Sequence, residues 1–269
     1  MEGLSSSDLD SYWENGFISP IDVFTPGETK SFRDKFESLE NHFGGRDKAR
    51  LYTTDILLIQ RWAWKVATTP RILECVRGIL GDNVLLWSTN WFIKEPGDQK
   101  IVSFHQDASY WGLEPHEVIT AWVALSDAPN ESGPMVFVPG SHKSDLIDHE
   151  DTYAPNNLLS RGQVIRKDLS GQELIEAPLR AGQMSLHHVR TIHGSSANTT
   201  NDRRIGMVLR YCSARVKQTK GPDTAVLVLG QDEHQHFALL SEPKNDLGEV
   251  ELLAHKKAIT QMGKLLMTD

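Results

Sequence analysis

His105 and Asp107 stand two residues apart in the run Ser103-Phe104-His105-Gln106-Asp107-Ala108-Ser109-Tyr110-Trp111. On an extended strand, residues i and i+2 project from one face, so an imidazole nitrogen and a carboxylate oxygen would face a common point. One further imidazole completes a 2-His-1-carboxylate set, which leaves open positions on iron(II) for a co-substrate and dioxygen. His193 is the best candidate for that imidazole.

The pair alone is weak evidence. With 11 His and 36 acidic residues, a His-x-acid triplet is expected about once or twice by chance. A second one is present, His149-Glu150-Asp151. It lies in the acidic segment 145–152, which reads as a solvated loop and gives His149 and Asp151 a surface role. His105 instead follows the apolar, β-rich stretch Leu85–Ile93 and a turn at Pro96-Gly97.

Three imidazoles crowd the segment 182–195. His193 precedes the small pair Gly194-Ser195, which leaves room beside a ligand for a bound co-substrate. Across the turn 198–202, Arg204 opens the next strand, where a guanidinium could grip a carboxylate bidentately. Arg203 could take that role instead, one of the two then lying at the surface. His187 and His188 read as supporting or structural groups rather than ligands.

These residues need elements to hold them. Thr25-Pro26-Gly27-Glu28 is a capping box with Pro at the first helical position. Phe32, Phe36, Leu39 and Phe43 follow at helical spacing until Gly44-Gly45. A second amphipathic helix runs from Pro70 to Gly81. From Asp82 the texture changes to short strands between turns: Val84–Lys94, Val118–Leu125, Met135–Val138, Gln163–Arg166, Met184–His187 and Ile205–Tyr211. The polar stretch 140–162 is long enough to be an active-site loop. After Lys217 the chain reads as loop, then a helix over Val250–Leu266. The class is mainly β with flanking helices (α+β), a sandwich or jelly roll. One domain is expected over 1–269: a helical part over 1–81, a jelly-roll core over 82–215, and a C-terminal loop and helix over 216–269.

Composition narrows the function classes. A net charge of -8 and a pI near 5.8 argue against a nucleic-acid partner, which needs a basic face. Two cysteines, Cys75 and Cys212, make neither a CxxC nor a disulfide framework, and read as reduced and buried. The N-terminus lacks a basic region followed by an apolar one, and no apolar run approaches 18 residues. A cytoplasmic protein without a membrane partner is expected.

Taken together and in order, several pieces resemble the phytanoyl-CoA dioxygenase family of iron(II)/2-oxoglutarate-dependent oxygenases on a double-stranded β-helix (jelly roll). They are Phe-Ile-Lys-Glu-Pro-Gly (92–97), His-Gln-Asp-Ala-Ser-Tyr-Trp (105–111) and Thr-Ala-Trp-Val-Ala-Leu (120–125). Gly133 with Val138-Pro-Gly-Ser-His142, then Gly182, His193-Gly194-Ser195 and Arg204 complete the set. The resemblance implies that His105, Asp107 and His193 hold Fe(II). It implies that Arg204 and Ser195 bind the distal carboxylate of 2-oxoglutarate, with Asn90 and Trp122 lining that pocket. Tyr110 and Trp111 would line the substrate cavity.

The resemblance further implies hydroxylation with O2 as oxidant. In related halogenases the carboxylate position is Gly or Ala, so Asp107 disfavours chlorination. The implied substrate is a small molecule: an amino acid, an aminophosphonate or a carrier-bound acyl group. Arg161, Arg166, Lys167 and Arg190 are the cations that could meet an anionic one. The competing reading is a non-catalytic jelly-roll protein that binds a metal or ligand.

Overall fold

The computed structural model describes residues 3–267; Met1 and Glu2 of the N-terminal part and Thr268 and Asp269 of the C-terminal part lie outside the described residues. Among the described residues no helix is long and apolar enough to cross a membrane.

Helix boundaries follow end chemistry. α1 (Ser6–Asn15) and α2 (Pro26–His42) both open on reciprocal capping boxes. Thr25 Oγ1 accepts from the Glu28 N–H at 3.3 Å, and Glu28 Oε2 accepts from the Thr25 N–H at 2.8 Å. These bonds satisfy donors that the first helical turn cannot pair internally. Between the two helices the chain forms β1 (Phe17–Asp22), a strand inside the part expected to be helical. Two short helices follow, α3 (Arg46–Ala49) and α4 (Arg61–Ala67). α5 (Pro70–Leu80) starts on its proline and stops at Gly81, whose φ of 85° favours glycine.

The strands then come in order: β2 (Val84–Lys94), β3 (Val102–His105), β4 (Leu113–Glu114), β5 (Val118–Ala124), β6 (Met135–Phe137), β7 (His149–Asp151) and β8 (Gln163–Ile165). A one-turn helix, α6 (Ala108–Trp111), lies between β3 and β4. The remaining strands are β9 (Ile175–Ala177), β10 (Gln183–His188), β11 (His193–Ser195), β12 (Arg204–Ser213), β13 (Lys217–Gln218), β14 (Thr224–Leu229) and β15 (Ala238–Leu239). α7 (Glu249–Leu266) closes the described chain. The major sheet has the order β1-β10-β5-β12-β2-β14-β15, and the minor sheet β3-β11-β6-β9. All the pairings are antiparallel except β14 with β15. β14, in a stretch that reads as loop from sequence, pairs with β2 and extends the major sheet.

Strand alternation sorts the major sheet into two faces. Ile119, Ala121 and Val123 of β5, Met184 and Leu186 of β10, and Ile205, Met207, Leu209 and Tyr211 of β12 pack against Phe36, Leu39, Ile72 and Val76 of the helices in one apolar core. The intervening residues turn toward the minor sheet. They include Asn90, Phe92 and Lys94 of β2, Thr120 and Trp122 of β5, His187 of β10, and Arg204, Val208 and Arg210 of β12.

Both arginines at the start of β12 are buried, against the expectation that one would be at the surface. Arg203 donates to Glu40 at 2.8 and 2.9 Å and to Glu95 at 2.9 and 3.0 Å, clamping α2 against the β2–β12 edge. Glu40 is itself buried. Glu40→Gln keeps the shape and removes the charge of this pair, so it is expected to destabilise the fold by about 1.5–3 kcal/mol. Thermal unfolding should show this as a Tm lower by roughly 4–10 °C; an unchanged Tm would mean that Glu95 alone satisfies Arg203.

Candidate metal centre and the cavities beside it

The two ligand imidazoles are placed by strand register. β3 and β11 are neighbours in the minor sheet, and His193 stands directly opposite His105. Their ring centroids are 4.3 Å apart. Each Nδ1 lies 2.9 Å from a backbone carbonyl, Ser103 O for His105 and Thr191 O for His193. A carbonyl can only accept, so each Nδ1 carries the hydrogen and each Nε2 keeps a lone pair for a metal.

Asp107 reaches the same place by another route. The strand stops at His105, and Asp107 has helical dihedrals (φ -58°, ψ -38°) at the start of α6. The expectation of an extended strand with both groups on one face is therefore corrected: a turn, not strand parity, brings them together. Gln106 holds that turn. Its side chain is buried, donating to Arg190 O at 2.8 Å and accepting from the Ile147 N–H at 2.9 Å. Its own N–H donates to His149 Nε2 at 2.9 Å. His149 is thus a half-buried member of β7 that props the turn, not a residue of a solvated loop, and Asp151 pairs with Arg161. A paired backbone donor and a packing position beside Tyr110 (ring centroids 5.2 Å) override the acidic composition of the segment.

One ligand atom from each of His105, Asp107 and His193 lies within 4.8 Å of the others. Burial disfavours ionisation of Asp107, but the imidazoles of His105 and His187, with Nε2 at 3.3 and 3.9 Å from its oxygens, hold its carboxyl well below the usual range. Burial, then the neighbouring imidazoles of His105 and His187, hold His193 well below the ordinary histidine value. Two neutral imidazoles and one carboxylate are the donor set of a 2-His-1-carboxylate iron(II) site. His187 stands against this set, with Nε2 3.9 Å from Asp107 Oδ2 and its ring 4.5 Å from that of His193. Neither of its ring nitrogens has a hydrogen-bond partner. Its position on β10 next to Met184 and Leu186, which face the helices, is the signal that could have marked it as inward.

The far end of the cleft is cationic. Arg204 is fully buried, lies 5.2 Å from the Trp122 ring and donates to Gly133 O. Burial pulls it down to about 9. Its Nε and the Trp122 Nε1 are buried without partners. Gly206 makes room for the indole, since a Cβ there would sit 2.0 Å from Trp122 Cζ2. Directly across the ladder from Arg204 is Lys94, a residue missed from sequence, whose Nζ donates to Ser195 Oγ at 2.6 Å. Burial and the adjacent Arg204 push Lys94 down to about 6. Like charges opposite one another on a ladder repel. A buried guanidinium with a buried amine and orphaned N–H groups beside it offers the donors that a dicarboxylate tail requires.

On the other side of the metal ligands lies a cavity of about 260 Å³. Asn90, Tyr110 and Trp111 line it, together with Leu158 and Leu159 of the 140–162 stretch and Met262 and Leu266 of α7. Asn90 is half-buried on β2, its Oδ1 accepting from the Trp91 N–H at 2.8 Å.

Residues 12–206 match the family model for phytanoyl-CoA dioxygenase (PhyH). The chain is 31% identical, over 203 residues, to the probable alpha-ketoglutarate-dependent hypophosphite dioxygenase of Stutzerimonas stutzeri, covering 73% of this chain and 66% of that protein. It is 26% identical to the ectoine dioxygenase of Halomonas elongata over 77% of this chain and 70% of that protein. It therefore spans about two thirds of the length of these curated relatives. The structure of the non-heme monooxygenase ThoJ in its apo form matches with a TM-score of 0.85 at 28% identity, over 96% of both chains.

The apoprotein is expected to bind one equivalent of Ni(II) or Fe(II) in anaerobic calorimetry. His105→Ala and His193→Ala should each weaken that binding by at least about a hundredfold; an unaffected variant would remove that imidazole from the set. Gly206→Ala should displace Trp122 and lower stability by about 1–3 kcal/mol in urea unfolding.

Proposed function

The chain belongs to the phytanoyl-CoA dioxygenase family, and from that premise we propose that it is an iron(II)- and 2-oxoglutarate-dependent oxygenase. It hydroxylates an unactivated C–H bond of a small, polar or anionic molecule in the cytoplasm. The observation that carries this reading is the convergence of His105, Asp107 and His193 on one point beside the buried, anion-deficient Arg204.

Iron(II) held by these residues, with 2-oxoglutarate and O2, would supply the oxidising power for hydroxylation, with succinate and CO2 as the co-products. The protein's own groups set the geometry. His105 and His193 present their Nε2 lone pairs, and Asp107 supplies the anionic ligand. These three residues would hold iron(II) and would leave it positions for 2-oxoglutarate and dioxygen. Arg204 and Ser195 fix the distal carboxylate of the co-substrate, with Trp122 Nε1 within the same pocket, and Lys94 holds Ser195 in place. Phe92, Met135 and Val208 line the cleft with apolar surface and keep water from it. Tyr110 and Trp111 shape the substrate side. Asp107 occupies the position that chloride would need, which favours hydroxylation over chlorination.

Anaerobic addition of Fe(II) and 2-oxoglutarate should produce a weak visible charge-transfer band, absent from a protein that only binds other ligands. Asp107→Ala should reduce succinate formation to background. Arg204→Ala should weaken 2-oxoglutarate binding by about tenfold or more. Succinate formation at the wild-type rate in Asp107→Ala, or no band in the wild type, would overturn the reading.

A further inference from the structure

A second guanidinium lies under the same strand. Arg210 is six residues from Arg204 on β12 and faces the same way, which places it about 20 Å further along at roughly 3.3 Å per residue. The three candidate metal ligands and both arginines line one cleft. His105, Asp107 and Arg210 line both the narrow co-substrate cleft and the 260 Å³ cavity beyond it.

Arg210 is poorly served by the protein. Its guanidinium carbon lies 4.8 Å from the Trp111 ring centre, an arrangement that orients a cation without neutralising it. One nitrogen makes a long 3.3 Å bond to Ser88 Oγ, and Nε has no partner. Among the described residues no carboxylate forms an ion pair with it. Asp107 is near enough to favour the Arg210 charge but makes no ion pair with it and stands among the candidate metal ligands. The other nearby acid, Asp55, is fully buried behind β2, accepting from the Thr89 N–H at 2.7 Å, and burial raises it to about 7. A half-buried guanidinium without a direct ion pair is a costly arrangement that a bound anion relieves.

None of the cations singled out from sequence lines this cavity, although Arg161 stands 5.7 Å from the Tyr110 ring behind its wall. Arg161 is paired with Asp151, Arg166 is exposed near Glu150, Lys167 is exposed, and Arg190 donates to Ser144 O.

We propose that Arg210 is the specificity-determining residue for substrate, gripping the carboxylate, phosphonate or phosphate of a small anion in this cavity. The proposal rests on the oxygenase reading above and narrows it to one substrate class and one residue. At about 30 Å³ per water in the liquid, the 260 Å³ beside Arg210 accommodates roughly nine water-sized groups, room for a small anion. Apolar Leu158, Leu159, Met262 and Leu266 face the polar Ser88 and Asn90 across the cavity. That suits an anion carrying a short aliphatic portion whose C–H bond is presented to the metal side.

The test is equilibrium binding, without oxygen or turnover, to enzyme loaded with Ni(II) and 2-oxoglutarate. Matched probes are butanoate, propylphosphonate, inorganic phosphate, butylamine and butan-1-ol, read by calorimetry and thermal shift. At least one anion should bind saturably and the amine and alcohol should not; comparing butanoate with propylphosphonate and phosphate separates carboxylate from phosphorus oxyanions. Arg210→Met should weaken anion binding by at least tenfold, keep the Fe(II)/2-oxoglutarate band, and raise the Tm of the unliganded protein by removing an unpaired cation. Arg210→Lys, which keeps the charge without the planar fork, should bind the anion with intermediate affinity and carries the comparison if Arg210→Met fails to fold. Equal anion binding by wild type and variant, equal binding of neutral and anionic probes, or no anion binding at all would overturn the proposal. Loss of the band in the wild type would instead strike the oxygenase reading, because anion binding at Arg210 is also read on the metal-free protein without 2-oxoglutarate.

Discussion

A polar interior between two sheets opposes folding, and the inward face of the major sheet is such an interior. Lys94, Arg204 and Arg210 are three basic side chains on two adjacent strands, and the imidazole of His187 has no hydrogen-bond partner. Buried groups of this kind destabilise a fold unless something neutralises or hydrogen-bonds them. The opposite face of the same strands supplies the compensation. There Ile205, Met207, Leu209 and Tyr211 alternate with the arginines and pack on the N-terminal helices. Strand β12 thus holds stability on one face and chemistry on the other.

The same constraint explains why the site is rigid. His105 and His193 are opposite each other in a backbone ladder, so their separation is set by interstrand spacing rather than side-chain choice. Asp107 has no such ladder and depends on the buried Gln106, with His149 behind it. Arg203 anchors the entrance of β12 to α2 through Glu40 and Glu95, which leaves Arg204 to point inward alone. Glycine at 206 then lets the Trp122 indole lie against the strand beneath Arg204.

Much of the fold was legible because its signals are local. The capping box at Thr25, the proline starts of α2 and α5, and the boundaries of β2 follow from neighbouring residues and match the observed elements. β1 and β14 were not legible. β1 contains Pro20 and only short apolar pairs, and β14 is a short apolar run after a polar stretch, so only pairing with β10 and β2 makes them strands. The His149 segment misled for the same reason in reverse: its composition is that of a loop, and its partner is the remote Gln106.

What the sequence alone determined is the set of groups: two imidazoles, a carboxylate and an arginine, in an order and spacing that point to one family and one donor chemistry. Residue types and local periodicity are properties of the chain itself. Which groups share a space was decided by tertiary structure. Strand register put His193 against His105, a turn rather than a pleat aimed Asp107, and the parity of β12 turned Arg210 into the cavity while Arg203 faced the helices. Those outcomes depend on residues far apart in the chain, because direction and burial are fixed only when distant strands pair.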